Sequence, residues 1–388
     1  MVDAGGVMKY SQGITVLSGM LAFVVMTSPP IVLAQEKLQT KDGTILKVEN
    51  LVGGLKHPWG MAFLPDGRLL VTERNTGRLY ILQTDNTLSQ PLKGVPEVLA
   101  HGQGGLMDVT LDPDFKENNR IYLSYVKPDQ GGKATTALGR GTLVDGRIEG
   151  FKEIFVQKPS VEGGNHFGNR IEFSPDGKYL FFALGERFQF DPAQDLSNHL
   201  GKVIRIYPDG STPEDNPFVG RENAEDEIWS YGHRNIEAMA FQPGTTTLWV
   251  GEMGPLGGDE LNEIEIGANY GWPVVSWGDH YNGRKIPDPP TRSEFKDAAQ
   301  HWTPVISPSG MKFYQGGMFP NWKNNILIGG LTTREVVRLV LDGTTVIEEE
   351  RLPLQKRIRD VDIAPDGSIY LLTDHDDGNV LRISSMDK

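Results

Sequence analysis

Met61-Ala-Phe-Leu-Pro-Asp-Gly-Arg-Leu-Leu-Val-Thr72 holds two short apolar runs joined at Pro65-Asp66-Gly67. Aspartate-glycine between such runs predicts a β-hairpin, because glycine accepts the positive φ that the tight turn demands. The same unit returns at Val109-Thr-Leu-Asp-Pro-Asp-Phe115, leading to Ile121-Tyr-Leu-Ser-Tyr125. It recurs at Ile171-Glu-Phe-Ser-Pro-Asp-Gly-Lys-Tyr-Leu180, at Met239-Ala-Phe-Gln-Pro-Gly244 and at Val361-Asp-Ile-Ala-Pro-Asp-Gly-Ser-Ile-Tyr370. Met311-Lys-Phe-Tyr314, leading to Ile326-Leu-Ile328, is a degenerate copy. Six copies, about sixty residues apart, leave room for four short strands each. The fold class is therefore all-β, a six-bladed β-propeller of four-stranded antiparallel blades. A large sandwich and a β-solenoid are the competing architectures, and the irregular repeat length speaks against the solenoid. Leu46-Lys-Val-Glu-Asn50 is expected to pair with the last blade and close the ring.

Residues 1–34 read as a secretory signal peptide, cleaved or kept as an anchor, ahead of a propeller over 35–388. Lys9 precedes an apolar stretch from Ile14 to Met26, and Val32-Leu33-Ala34 offers a small-residue cleavage site. No later segment is long and apolar enough to span a membrane. The chain has no cysteine, which excludes disulfides, thiolate metal sites, thiol nucleophiles and attached c-type haem. Export without cysteine suits a periplasm. A net charge of −13 argues against sequence-independent nucleic-acid binding, while acidic loops leave room for calcium.

The first strand of each propeller blade lines the central channel, so residues just before it gather at one mouth. Those positions are Pro58-Trp59-Gly60, Gln103-Gly104-Gly105, Asn165-His166-Phe167-Gly168, His233-Arg234-Asn235, Ser309-Gly310 and Arg357-Ile358-Arg359-Asp360. Arginine presents a planar fork suited to carboxylates, so Arg234, Arg357 and Arg359 describe a polyanionic ligand. The alternative is that each pairs with a carboxylate of the chain, such as Asp360, Glu186 or Asp259.

Taken in order, Gly102-Gln-Gly-Gly-Leu106, Gly164-Asn-His-Phe-Gly168, Gly232-His-Arg-Asn235, Glu252-Met-Gly-Pro-Leu-Gly-Gly-Asp-Glu260, Asn269-Tyr-Gly-Trp-Pro273 and Arg357-Ile-Arg-Asp360 form a recognisable set. The chain resembles the soluble aldose sugar dehydrogenases, six-bladed propellers dependent on pyrroloquinoline quinone (PQQ) and related to soluble quinoprotein glucose dehydrogenase. That resemblance implies oxidation of an aldose at its anomeric carbon to a lactone, with electrons passed to an external acceptor. It implies that His166 is the general base, and that Gln103, Arg234, Asn235, Tyr281, Arg357 and Arg359 hold the quinone. It also implies a calcium at the carbonyls of Gly254 and Pro255, and a second at Glu260 and the Tyr270 carbonyl. Histidine suits base chemistry near neutral pH, and a carboxylate on its other nitrogen strengthens it; Glu186 is the candidate, with an ion pair to Arg187 or Arg205 as its other possible role. One departure stands out. Where the family carries a lysine after its Gly-x-Leu strand end, this chain has Thr332, with Arg334 two residues on.

Elsewhere the reading is plainer. Trp59 and Trp277 are candidates for an apolar wall against a sugar, or for packing. Asp374-His-Asp-Asp-Gly378 looks like a solvated turn, with His375 near the channel mouth. The remaining histidines, His57, His101, His199, His233, His280 and His301, show no ligand spacing and are expected in surface or core-polar roles. A calcium-dependent hydrolase and a non-enzymatic binding propeller are the rival functions; the first needs acidic channel ligands, the second tolerates loss of the base.

Overall fold

The computed structural model describes residues 36–289 and 292–386; the expected signal peptide lies outside them. Six antiparallel sheets follow one another along the chain. Their innermost strands are Pro58–Phe63, Leu106–Leu111, Gly168–Phe173, Ile236–Phe241, Pro308–Phe313 and Ile358–Ile363. Each packs on the next, and the sixth returns against the first, closing a propeller around a central channel. The Pro-Asp-Gly turns expected from the repeat join innermost to second strands, as in Phe63↔Leu69 and Ile363↔Ile369.

Strand number varies around the ring. Four blades have four strands, as expected. The first has three, Pro58–Phe63, Leu69–Glu73 and Arg78–Leu82, extended only by an isolated bridge from Leu82 to Leu88. Pro91 and Pro96 follow, and proline cannot donate to a ladder, so no fourth strand forms there. The sixth sheet has five, because Ile45–Leu55 pairs with Gly378–Ser385 and Glu36–Gln39 pairs outside it. The closure predicted for Leu46–Asn50 is thus present.

Six apolar clusters each seal one blade-to-blade interface. Leu70, Leu79, Val109 and Leu123 join the first two blades, while Leu46, Tyr314, Leu327, Val361 and Leu381 join the last two. Burying a Leu, Ile or Val side chain contributes about 1.5–3 kcal/mol, so the interfaces carry the stability of the ring.

A second repeat concerns the channel. In every blade the ladder of the innermost strand slips near its start: between Pro58 and Met61, Leu106 and Val109, Gly168 and Ile171, Ile236 and Ala238, Ser309 and Met311, and Ile358 and Asp360. A bulge adds a residue and re-aims side chains. Asp108, Arg170, Glu237 and Arg359 lie in these slips and meet across the axis. Arg170 reaches Asp108 at 3.2 Å and Asp360 at 3.0 Å, donates to the Glu237 carbonyl at 2.7 Å, and lies 4.1 Å over the Trp59 ring.

Candidate active site

His166 ends the loop before the third innermost strand, with φ at +52°. Its backbone N–H donates to the Gln103 side-chain oxygen at 2.7 Å, and its carbonyl accepts from Arg187 N–H at 3.1 Å. Arg187, Phe188 and Phe190 also have positive φ. Such conformations cost about 1–3 kcal/mol each and persist only when the surroundings impose them. The Arg187 guanidinium does so here, donating to the carbonyls of Ala134, Asn165 and Gly163 from beneath the loop.

The His166 ring is buried, and its Nδ1 lies 2.7 Å from Glu186 Oε1. An ionised carboxylate only accepts, so Nδ1 carries the hydrogen and Nε2 is left bare as a base. Glu186, fully buried, is itself fixed by the N–H groups of Gln189 at 2.5 Å and Phe190 at 3.1 Å. It makes no ion pair with Arg187 or Arg205; the latter reaches Asp215 and Asn216 instead. Burial pushes the His166 pKa below its ordinary value, the Glu186 hydrogen bond pulls it back up, and the positive charge of Arg234 lowers it again. The imidazole is therefore neutral at neutral pH.

Gly185 is what lets this dyad form. A Cβ there would lie 2.1 Å from the His166 carbonyl and 2.9 Å from Asn235 Oδ1. Gly185→Ala is expected to displace the base, and displacements near 1 Å cost about 10²-fold in turnover. Steady-state kinetics beside a circular dichroism spectrum check it; a variant with native spectrum and native turnover contradicts it.

Arginines surround the dyad. Arg234 donates to the carbonyls of Met253 at 2.8 Å and Gly254 at 2.7 Å, and to the Tyr281 hydroxyl at 3.2 Å. Tyr281 is 62% exposed, so it stands at the rim. Asn235 accepts from Gly168 N–H at 3.1 Å and donates to Glu237 at 3.0 Å. Arg359 is buried between Glu237 and Asp374, and Arg357, more exposed, also reaches Asp374 at 3.1 Å. Arg357 and Arg359 thus pair with Asp374 and Glu237, and Arg234 with carbonyls, rather than with Asp360, Glu186 or Asp259 as considered from sequence. The expected solvated turn at Asp374 is corrected too: it is buried, accepts from His57 Nδ1 at 2.6 Å, and is held far below the usual carboxylate range by Arg359, His57 and Arg74 against the effect of burial.

The Nε groups of Arg234 and Arg359 are buried and have no hydrogen-bond partner. A buried N–H without an acceptor is costly, so these two forks are suited to an added anionic ligand. Thr332 is exposed and shares a hydrogen bond with Ser307 at 2.6 Å. Arg334 is also exposed and lines a groove of about 410 Å³ with Arg357, Asp374 and His375.

Beside Arg234, a small cavity is lined by Glu252, Gly254, Glu260, Tyr270 and Trp272, with Pro255 buried next to Gly254 in the chain. Burial and the neighbouring Glu252 push the Glu260 carboxyl well above its ordinary pKa. Asn262 donates to both Glu252 at 2.9 Å and Glu260 at 3.0 Å, and its own carbonyl oxygen is buried without a donor. Crowded carboxylates with a spare carbonyl are a donor set fitted to a hard cation such as calcium.

The two tryptophans take other places. Trp59 lies beneath Arg170 and Arg359 in the channel, and Trp277 stacks on His301 with centroids 4.0 Å apart. The aromatic surface against the base is Phe188 instead, edge-on to His166 at 5.0 Å and 39% exposed, with Phe190 behind it. His233 is core-polar, bonded to Ser230 and Glu252 and stacked on Tyr270. His199 meets Glu225 and Glu227, but Lys158 N–H donates to its Nδ1, which puts the hydrogen on Nε2 facing Glu227 and disfavours a metal there.

Sequence reasoning missed Glu237, Glu252, Asp374 and Arg74. A signal was present: Glu73, Glu186, Glu252 and Asp374 all fall at or just beyond the end of a second strand. Each accepts from the residues leading into an innermost strand: Lys56, His166, Arg234 and Arg357 in turn.

The profile of the glucose/sorbosone dehydrogenase family matches residues 55–382. The chain is 43% identical over 364 residues to aldose sugar dehydrogenase YliI of Escherichia coli (strain K12), covering 92% of this chain and 97% of that one. The crystal structure of the soluble aldose sugar dehydrogenase from Escherichia coli superposes with a TM-score of 0.84 at 44% identity, covering 87% of this chain and 99% of the other. The PQQ-bound aldose sugar dehydrogenase from Streptomyces coelicolor gives 0.72 at 26% identity, covering 87% and 98%.

Proposed function

Because this chain belongs to the glucose/sorbosone dehydrogenase family, oxidoreductases acting on sugars, we propose that it oxidises an aldose at the anomeric carbon to the lactone with PQQ and calcium. The observation that carries this is the His166–Glu186 dyad set among Arg234, Arg357 and Arg359 at one mouth of the channel.

The quinone, when bound, supplies a two-electron acceptor for the hydride from the sugar C1–H. Bare Nε2 of His166 takes the proton of the anomeric hydroxyl, and Glu186 holds the ring in that tautomer and stabilises the imidazolium that forms. Gln103 holds the His166 backbone, and Phe188 closes one side of the ring against water. Arg234, Asn235, Tyr281, Arg357 and Arg359 are the groups suited to the three carboxylates and quinone oxygens of PQQ. The free Nε donors of Arg234 and Arg359 support this. Thr332 offers a neutral hydrogen bond where the family's lysine offers a charge, and Arg334 lines a groove with Arg357 and Asp374. Gly254 and Pro255 carbonyls would hold one calcium, Glu260 and the Tyr270 carbonyl another; the Gly254 oxygen, which accepts from Arg234, keeps a second lone pair for it. An external acceptor would take the electrons, and the export signal read at residues 1–34 supports a periplasmic site for the reaction.

Reconstitution tests this reading. The purified protein with PQQ and Ca²⁺ is expected to reduce an artificial dye when glucose or another aldose is added, and to lose that activity when chelator is present during loading. Absence of any PQQ binding at micromolar protein, followed spectroscopically, overturns it.

A further inference from the structure

We propose that Arg74 is a further cofactor-binding residue, a third guanidinium fork that holds a carboxylate of PQQ beside Arg357 and Arg359. This rests on the quinone reading above.

Arg74 follows the second strand of the first blade, Leu69–Glu73, while Arg357 and Arg359 open the innermost strand of the sixth. Those blades are neighbours across the point where the ring closes. All three guanidiniums face Asp374, whose carboxylate already accepts three hydrogen bonds. Oδ2 accepts from Arg357 at 3.1 Å and Arg359 at 2.9 Å, and Oδ1 from His57 at 2.6 Å. Arg74 Nη2 lies 4.0 Å from Oδ1, within ion-pair range and beyond a hydrogen bond. Its Nε donates to Asn75 at 3.1 Å, and its side chain is only 11% exposed. A fork nearly buried with one of its five donors engaged is an incomplete anion site.

The charge count agrees. Arg74, Arg357 and Arg359 bring three positive charges against two negative ones on Asp374 and Glu237, an excess of one. Burial, and then repulsion from Arg359, depress the Arg74 pKa despite the attraction of Asp374 and Glu237. A bound carboxylate would relieve that repulsion. The position is built rather than incidental. Arg74 N–H donates to the His57 carbonyl at 3.1 Å, and its own carbonyl accepts from Leu106 N–H at 3.2 Å. Gly105 permits this approach, since a Cβ there would lie 2.0 Å from the Arg74 carbonyl.

The test is a titration of PQQ into wild type, Arg74→Met and Arg74→Lys with Ca²⁺, followed by tryptophan quenching. Arg74→Met is expected to weaken PQQ binding at least tenfold, and Arg74→Lys to fall between. PQQ trimethyl ester, which carries no carboxylate charge, is expected to bind wild type and Arg74→Met equally. The thermal midpoint of unliganded Arg74→Met is expected to be no lower than wild type, because the residue removed is an excess charge. Equal PQQ affinity in wild type and both variants overturns the assignment of Arg74 and leaves the quinone reading standing. The same loss for the ester as for PQQ also overturns it, since the effect is then not on a carboxylate. Failure of wild type to bind PQQ overturns the quinone reading and Arg74 with it.

Discussion

His166→Ala is expected to lower turnover by about 10²–10⁴-fold, the usual contribution of a positioned general base, while PQQ affinity changes little. The separation follows from the geometry: the ring engages Glu186 and Phe188, whereas the arginine forks are anchored on Asp374, Glu237 and the carbonyls of Met253 and Gly254. Rapid-mixing kinetics on enzyme loaded to a measured PQQ occupancy check it. A variant with wild-type turnover per bound quinone would falsify the assignment of the base. The pH profile gives a second reading. Because burial lowers the His166 pKa, the acid limb of kcat/KM should fall below pH 6.5, the base being protonated only under more acidic conditions. Glu186→Gln removes the bond that raises that pKa, so the limb should move lower still while the plateau drops. The same shift bears on stability: the folded state binds the His166 proton less readily than the unfolded chain, so this group destabilises the fold as pH falls below about 6.5.

Asp374→Asn carries the largest expected effect on the fold itself. The carboxylate sits between Arg359, Arg357 and His57, and its loss leaves the buried Arg359 with Glu237 as its one remaining carboxylate contact. Removing one partner of a buried ionic cluster costs about 3–5 kcal/mol. Thermal or urea denaturation at pH 7 should register that loss. The sign of its pH dependence is fixed by the depressed pKa of Asp374: its contribution is present above the unfolded value near 3.9 and is lost as pH falls toward the lower folded one. The gap between wild type and variant should therefore narrow below about pH 4. A gap that widens there would mean that the arginines draw their stability from another group.

The propeller was legible because its turns announce themselves. Pro65-Asp66-Gly67, Pro175-Asp176-Gly177 and Pro365-Asp366-Gly367 each demand a tight reversal, and they stand in the first, third and sixth copies of one unit. The three-stranded first blade was less so, since Pro91 and Pro96 had to be read as strand breakers across a long irregular run. His166 and Arg234, Arg357 and Arg359 could be brought to one mouth by counting back from each innermost strand, and the structure places them there. Glu186 was found by the same logic. Asp374 was misread because Asp-His-Asp-Asp-Gly has the composition of a surface turn; only the arginines of the same blade, brought against it by the strand pairing of Ile358 with Thr373, show it to be buried. Of the two roles open to Trp59, wall or packing, residue type alone could not choose; the bulge at Pro58–Met61 buries the indole against Met107 and Phe167, beneath two guanidiniums. Local pattern reports what an element is; where a bulge or a strand end sends a side chain depends on its neighbours.

The pairing of Ile45–Leu55 with Gly378–Ser385 also sets the order of events in biosynthesis. Leu46 and Val48 are covered by a strand that leaves the ribosome only after all six innermost strands have been made. Until residues 378–385 exist, five blades can form in sequence but the ring stays open, with Leu55, Met61 and Val71 still awaiting Val380. A nascent chain stalled short of the closing strand is consequently an arc with sticky apolar ends, and truncation before Gly378 should yield a protein prone to self-association through those faces.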